Sequence, residues 1–91
     1  MLMFADWQPV ELEPYTNQAW YQVHENGLAI RQVNHCGEIL EALAAPEYID
    51  DLLGINIQTA DDESLQATVC GVLMDEKLTF KTVGVMNGVK Q

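Results

Sequence analysis

The chain has 91 residues, nearly half of them hydrophobic, and a formal net charge of −10. This length supports one small domain, residues 1–91, and the hydrophobic fraction is too high for a wholly disordered chain. All fourteen acidic residues lie in residues 1–76 beside one base, Arg31, for −13, whereas residues 77–91 carry three lysines and no acid. Because so acidic a body repels phosphate backbones, direct DNA or RNA binding is disfavoured and a basic protein partner is favoured.

The N-terminus and the cysteines bear on the compartment. Residues 1–9 have no basic region, and their apolar run ends at Asp6, so neither a signal peptide nor a membrane span is predicted. Cys36 and Cys70 form no CxxC motif and do not make a disulfide framework. These features predict a cytoplasmic protein with no membrane contact. Residues 1–4 suit a short edge strand or an apolar cover over the core.

Residues 20–33 predict a β-hairpin. Asn26 and Gly27 at its centre are typical of a tight type I′ turn, because both residue types tolerate positive φ. One face of this hairpin would carry the core-directed side chains Tyr21, Val23, Leu28 and Ile30, and the other would carry Trp20, Gln22, His24, Ala29, Arg31 and Val33. Trp20 and Val33 on the outer face, in so small a domain, suggest a homodimer that forms through this surface.

Residues 34–54 carry the clearest helical pattern. Asn34 suits an N-cap, and Pro46 suits the first turn of a helix but not its interior. Two short helices are therefore predicted, at 36–44 and 46–53, the second ending at Gly54. Their inner apolar face would consist of Ile39, Leu40, Leu43, Ile49, Leu52 and Leu53.

Residues 55–58 alternate and predict a short strand, but residues 59–74 support two interpretations. Thr59 with Asp62 resembles a capping box, and the apolar residues that follow fit helical spacing. In contrast, residues 68–74 are rich in β-formers, contain a glycine, and precede a polar turn and a second β-prone run. These runs favour a second hairpin, 67–86, with a helical turn allowed at 60–65.

The predicted fold class is α+β. An antiparallel sheet would form from two β-hairpins, at 20–33 and 67–86, with two short central helices, at 36–44 and 46–53, packed on one face.

The residues that support catalysis or metal binding form no recognised motif. His24, His35, Cys36 and Cys70 lack the spacing of metal ligands. Cys36 lies near a predicted helix N-terminus, where the dipole favours a thiolate, but a cysteine packed at the helix start is the simpler interpretation. Acid pairs lie on surfaces where charge is usually solvated. We therefore expect a protein that is not an enzyme and that uses no metal and no cofactor.

Acidic side chains on the predicted helices form the candidate binding surface. They are Glu38, Glu41, Glu47, Asp50 and Asp51, continued by Asp61, Asp62 and Glu63. A dense patch of one sign accelerates encounter with a basic partner and excludes nucleic-acid competitors. The sequence thus favours a non-catalytic interaction protein, for example an inhibitor or nucleic-acid mimic of mobile-element origin. The alternative is a small enzyme or ligand-binding domain with a pocket between the helices and the sheet.

Overall fold

Five antiparallel strands and two helices make up the part of the chain described here. The structure, a computed structural model, describes residues 6–85, so the expectation for residues 1–4 lies outside the described residues. The elements are β1 (Gln8–Pro9), β2 (Ala19–His24), β3 (Gly27–Val33), β4 (Glu38–Ala44), α1 (Pro46–Leu53), α2 (Asp62–Asp75) and β5 (Lys81–Val85). The strands lie in chain order across one sheet. The predicted α+β class and antiparallel sheet are confirmed.

The β2–β3 hairpin forms, but its turn lies one residue earlier than predicted. His24 pairs with Gly27, so Glu25 and Asn26 make the turn. A turn at Asn26 and Gly27 would pair Val23 with Ile30, whereas Val23 pairs with Leu28, a displacement of two residues. Because side chains alternate with a period of two, every side chain keeps its predicted face. The core-directed residues are Tyr21, Leu28 and Ile30, which are buried, and Val23, which packs against them.

Gly27 accounts for this register. It has a φ of +146°, and a Cβ built on it would overlap the backbone carbonyl oxygen of Ala44. Only glycine accepts both the backbone conformation and so close an approach without strain. Gly27 is therefore required where the start of β3 lies beside the end of β4, rather than inside the turn.

Residues 38–44 form strand β4, so the predicted helix 36–44 is wrong. β4 lies between β3 and β5 and pairs antiparallel with both. Ala42 and Ala44 are buried, whereas Leu43, which was assigned to the inner face of a helix, is 51% exposed. Hydrogen bonding to two neighbouring strands outweighs the weak helix preference of glutamate, leucine and alanine in this segment.

Asn34 closes the β3–β4 turn instead of capping a helix. Its Oδ1 accepts hydrogen bonds from the backbone N–H groups of Cys36 (3.0 Å) and Glu38 (2.9 Å). The N–H of Gly37 donates to the Asn34 carbonyl at 3.0 Å. Asparagine accepts bonds from nearby N–H groups in turns as it does at helix N-caps, so the local signal alone does not separate the two structures.

Helix α1 has the predicted bounds, 46–53. Pro46 occupies its first turn, and Gly54 ends it in the left-handed conformation with its N–H donating to the Asp50 carbonyl at 2.8 Å. Ile49 is fully buried. The other predicted inner-face residues of this helix, Leu52 and Leu53, are 36% and 40% exposed. The short helix therefore contributes one core residue and leaves two leucines at the surface.

Residues 67–75 belong to α2, so the predicted second hairpin, 67–86, is wrong. The helix begins after Asp61, whose Oδ1 accepts from the Ser64 N–H at 2.8 Å. Thr59 and Asp62 are thus not the capping pair. The buried side chains recur at helical spacing and are Leu65, Thr68, Val69, Val72 and Leu73. Burial of this continuous stripe overrides the strand preference of its threonine and valines.

The segment before α2 also differs from its prediction, because residues 55–58 form no strand. Asn56 organises a turn there: its Oδ1 accepts from the Gln58 N–H at 2.9 Å, and its carbonyl accepts from Thr59 and Ala60. The turn reverses the chain between the two helices. Ile57 of this turn is buried in the core, so its apolar character serves packing rather than strand formation.

A single core cluster joins both helices to the sheet. It comprises Val10, Ala19, Tyr21, Leu28, Ile30, Ala44, Ile49, Ile57, Leu65, Val69, Val72 and Leu73. The sheet residues in this cluster alternate along β2 and β3, and the helix residues come from one stripe of α2 and one position of α1. The opposite side chains of β2, β3 and β4, including Trp20, Arg31 and Glu41, therefore form a separate face of the sheet.

Candidate protein-interaction surface

The eight acidic residues predicted to form one binding surface lie in three separate groups. Glu38 and Glu41 are on β4, Glu47, Asp50 and Asp51 are on α1, and Asp61, Asp62 and Glu63 are at the start of α2. Because residues 38–44 form a strand, the first group does not continue the acidic surface of α1. The structure does not join the three groups into one helical face, and within β4 the side chains of Glu38 and Glu41 lie on opposite faces of the sheet.

The two β4 carboxylates bind groups within the chain. Arg31 Nε donates to Glu41 Oε1 at 2.9 Å, and the Arg31 guanidinium lies 4.6 Å from the centre of the Trp7 ring. Glu38 accepts from Asn34 Nδ2 at 2.9 Å. Arginine between a carboxylate and an aromatic ring is held by both an ion pair and a cation–π contact. Glu41 therefore holds Arg31 on the sheet, and this ion pair offsets most of its negative charge.

The acids at the start of α2 have a structural role in part. Asp61 caps the helix, and its hydrogen bond from the Ser64 N–H lowers the pKa of its carboxyl group. Asp62 and Glu63 are exposed in the first turn, where they complement the helix dipole. This group explains the formation of α2 before any partner is considered.

A depression of about 410 Å³ lies between β1 and the start of α2. Gln66 joins the two elements: its Oε1 accepts from the Glu11 N–H at 2.7 Å and its Nε2 donates to the Pro9 carbonyl at 2.9 Å. Tyr21 lines the depression, and burial, followed by the nearby Asp62 charge, raises its pKa. The Tyr21 hydroxyl thus stays protonated beside an acidic rim.

Helix α1 carries the acidic group with the fewest internal functions. Glu47, Asp50 and Asp51 are exposed, and within residues 6–85 the Arg31–Glu41 pair is the only salt bridge. Glu47 and Asp50 border a groove of about 340 Å³ that continues to residues 55–57. Among the described residues, these three carboxylates form no salt bridge.

The contact between α1 and α2 introduces two residues that were not predicted as site residues, Asp75 and Lys77. The Tyr48 hydroxyl donates to Asp75 Oδ2 at 2.8 Å, and burial, followed by this hydrogen bond, raises the Tyr48 pKa. Tyr48, Asp51, Leu52, Asp75 and Lys77 line an open cavity of about 260 Å³, which we call the α1–α2 seam. The spacing of Tyr48 and Leu52, one helical turn apart, is the local signal for this apolar strip. Asp75 was missed because residues 67–86 were predicted as a hairpin.

The cysteines and histidines lie in three parts of the fold: His24 ends β2, His35 and Cys36 are in the β3–β4 turn, and Cys70 is on α2. Cys36 is exposed in the β3–β4 turn, so the helix dipole expected to act on it is missing there. Cys70 lies on α2 with its thiol partly covered, and burial raises its pKa. His24 and His35 are exposed. Within residues 6–85, no three histidine, cysteine or acidic side chains are grouped so that they hold a metal ion.

The predicted dimer surface offers less area than expected. Trp20 is only 6% exposed, and Val33 is half-buried. Most of the Trp20 side chain is already in contact with the rest of the chain, so little of it remains for a second copy. The homodimer stays a prediction.

Neither helix in the described part of the chain has the length and apolar character needed to cross a membrane. No protein-family model, curated protein or solved structure matches the chain significantly, so inference about its function has to start from its own residues.

Proposed function

We propose that this protein is a non-catalytic interaction module that binds a basic protein through the acidic surface of its helical layer. The observation that carries this proposal is the exposed group Glu47, Asp50 and Asp51 on α1, which has no basic partner within residues 6–85. Unpaired charges of one sign attract a partner of opposite charge and set the rate and specificity of association.

The division of the acids into groups narrows the proposed surface. Glu41 is paired with Arg31 and Asp61 caps α2, so neither is a good candidate for contact with a partner. Within the described residues, the exposed acids of α1 form no ion pair and no helix cap. We therefore place the principal binding residues on α1 and treat Asp62 and Glu63 as a second, weaker group.

The experiment is affinity capture from extract of the source cells with the wild-type chain and with the triple variant Glu47→Gln, Asp50→Asn, Asp51→Asn. We expect the wild-type chain to retain a basic protein that the triple variant loses. Retention should weaken as salt rises, because exposed charge pairs are screened over about 8–10 Å at physiological ionic strength. If added DNA releases the captured protein, the chain and DNA compete for the same site on that protein, as expected for a nucleic-acid mimic.

Control variants on β4 and α2 make the capture result specific. Glu38→Gln and the double change Asp62→Asn, Glu63→Gln remove exposed charge elsewhere and should leave most of the captured protein in place. Equal retention by the wild type and the triple variant would refute the proposed role of α1. Retention of acidic or neutral proteins alone would refute the basic partner.

A second candidate, a ligand-binding domain with a pocket between helix and sheet, is favoured by the depression beside Tyr21. Its rim carries Glu11, Asp62 and Glu63, so it suits a cationic small molecule. Thermal unfolding in the presence of polyamines tests this candidate. A stabilisation abolished by Asp62→Asn with Glu63→Gln, but not by the α1 triple variant, would favour it over the interaction module.

A further inference from the structure

We infer that the α1–α2 seam is the anchor site of this interaction surface, and that its occupant is a basic segment of a partner protein with one apolar side chain inserted between the helices. The inference rests on the proposed function and names the chemistry of the partner. It is carried by the placement of Leu52 and Tyr48 beside Asp51 and Asp75 in one open cavity.

The apolar part of the seam is available at the surface. Leu52 is 36% exposed, and the neighbouring Leu53 is 40% exposed. Gly71 lets α1 approach α2 closely, because a Cβ there would lie 3.2 Å from Leu53 Cδ1. Met74, one turn beyond Gly71 on α2, is 66% exposed. Leu52 lines the cavity, and Leu53 and Met74 are exposed on the same two helices, so an apolar side chain inserted beside Leu52 would remove apolar area from water.

The size of the cavity favours an anchoring side chain over a free small molecule. Its volume of about 260 Å³ is below the range of roughly 300–1,000 Å³ that is usual for ligand pockets. An anchor residue of a longer segment needs less enclosure, because the flanking residues of that segment make further contacts at the rim.

The charge around the seam determines the flanking residues of the occupant. Asp51 and Asp75 line the cavity, and Glu76, which directly follows α2 between Asp75 and Lys77, is exposed. The Tyr48 hydroxyl uses one oxygen of Asp75, and a carboxylate has further capacity to accept hydrogen bonds. Lysine or arginine on either side of the apolar anchor would therefore find acceptors.

Lys77 is the one basic residue that lines the seam, and its charge distinguishes a basic occupant from an acidic one. It is exposed, and no salt bridge joins it to Asp51 or Asp75 within the described chain. A basic occupant would be repelled by Lys77, whereas an acidic occupant would be attracted to it. Removal of this charge therefore has opposite effects on the two classes of partner.

The probe is a fluorescently labelled synthetic peptide of about 15–20 residues, with leucines one helical turn apart and lysines elsewhere. A matched peptide has glutamine in place of lysine. Binding to the full chain is measured by fluorescence anisotropy. We expect the basic peptide to bind at least about tenfold more tightly than the neutral peptide, and its affinity to fall with salt.

Matched variants locate the binding site. Leu52→Gln should weaken binding about tenfold, the effect expected for loss of one apolar contact, whereas Leu12→Gln, at a similarly exposed leucine, should not. Asp51→Asn should weaken binding about threefold, and Glu25→Gln, at an exposed acid of the β2–β3 turn, should not. Lys77→Gln should strengthen it about threefold, with Lys81→Gln as the matched change outside the seam.

Several outcomes would overturn the inference. Equal binding of the basic and neutral peptides would show that charge is not required. Equal losses in the Leu12 and Leu52 variants would show that the peptide does not bind at the seam. Absence of binding by the basic peptide would also overturn it. If a basic protein is still captured through α1 in that case, the interaction module survives and only the anchor site is wrong. If neither assay shows binding that depends on α1, both proposals fail.

Discussion

Alanine at position 27 should destabilise the fold although the substitution removes no side chain from the core. The added Cβ meets the backbone carbonyl of Ala44, and the backbone at Gly27 has a φ of +146°, which residues with side chains rarely adopt. Holding alanine in that conformation costs about 1–3 kcal/mol. Displacing the neighbouring backbone costs about a further 1–3 kcal/mol. Gly27→Ala should therefore lower the free energy of unfolding by at least about 2 kcal/mol.

That loss is a large part of the stability of a chain of this size, for which roughly 5–14 kcal/mol is typical. Urea unfolding followed by far-UV circular dichroism and tryptophan fluorescence measures it. Gly71→Ala is the matched control: its Cβ would lie 3.2 Å from Leu53 Cδ1, an atom of a 40% exposed side chain rather than of the backbone. Alanine also gains about 1 kcal/mol of helix propensity over glycine. Gly71→Ala should lower the free energy of unfolding by much less than Gly27→Ala does, because the gain in helix propensity offsets the contact with Leu53.

The result that would refute this reasoning is a Gly27→Ala variant whose free energy of unfolding lies within about 0.5 kcal/mol of the wild type, as for an ordinary surface substitution. Comparable losses in both variants would also contradict it. Comparable losses would mean that contact with the Leu53 side chain is as costly as contact with the Ala44 backbone.

Three further predictions concern single contacts. Asp61→Ala should lower the urea midpoint by removing the N-cap of α2, and Asp61→Asn should restore it at neutral pH. Because the folded pKa of Asp61 is lowered, the stability due to its charge is present above its unfolded pKa and is lost as pH falls through the folded value. Tyr48→Phe should cost about 0.5–1.5 kcal/mol in unfolding assays. Because the Tyr48 pKa is raised in the folded chain, its hydrogen bond to Asp75 stabilises the fold at neutral pH and is lost as pH rises through the folded value. An ultraviolet titration of this variant should therefore show one fewer tyrosine that ionises at high pH. Arg31→Lys should lower stability about as much as Glu41→Gln, by roughly 0.5–1 kcal/mol, since lysine lacks the planar guanidinium that meets both carboxylate and ring; an unchanged urea midpoint would contradict this.

The features predictable from the sequence are those whose cause lies within a few residues. Pro46 and Gly54 bound α1 because a missing N–H suits a first turn and a left-handed residue ends a helix. The faces of β2 and β3 follow from their alternation, which holds even with the turn displaced. The acidity of the α1 surface is also a property of the sequence, since it depends on which residues are present.

Tertiary structure decided the features whose local signals were balanced. Asn34 stabilises a turn as readily as a helix start, and only pairing with β3 and β5 makes residues 38–44 a strand. The run 68–74 has strand-forming side chains, but its place over the core makes it part of α2, and Gly71 serves the approach of α1. The seam follows from both decisions, because it needs α1 and α2 side by side. Contacts between residues far apart in the chain outweigh propensities worth at most about 1 kcal/mol each, and such contacts exist only in the folded protein.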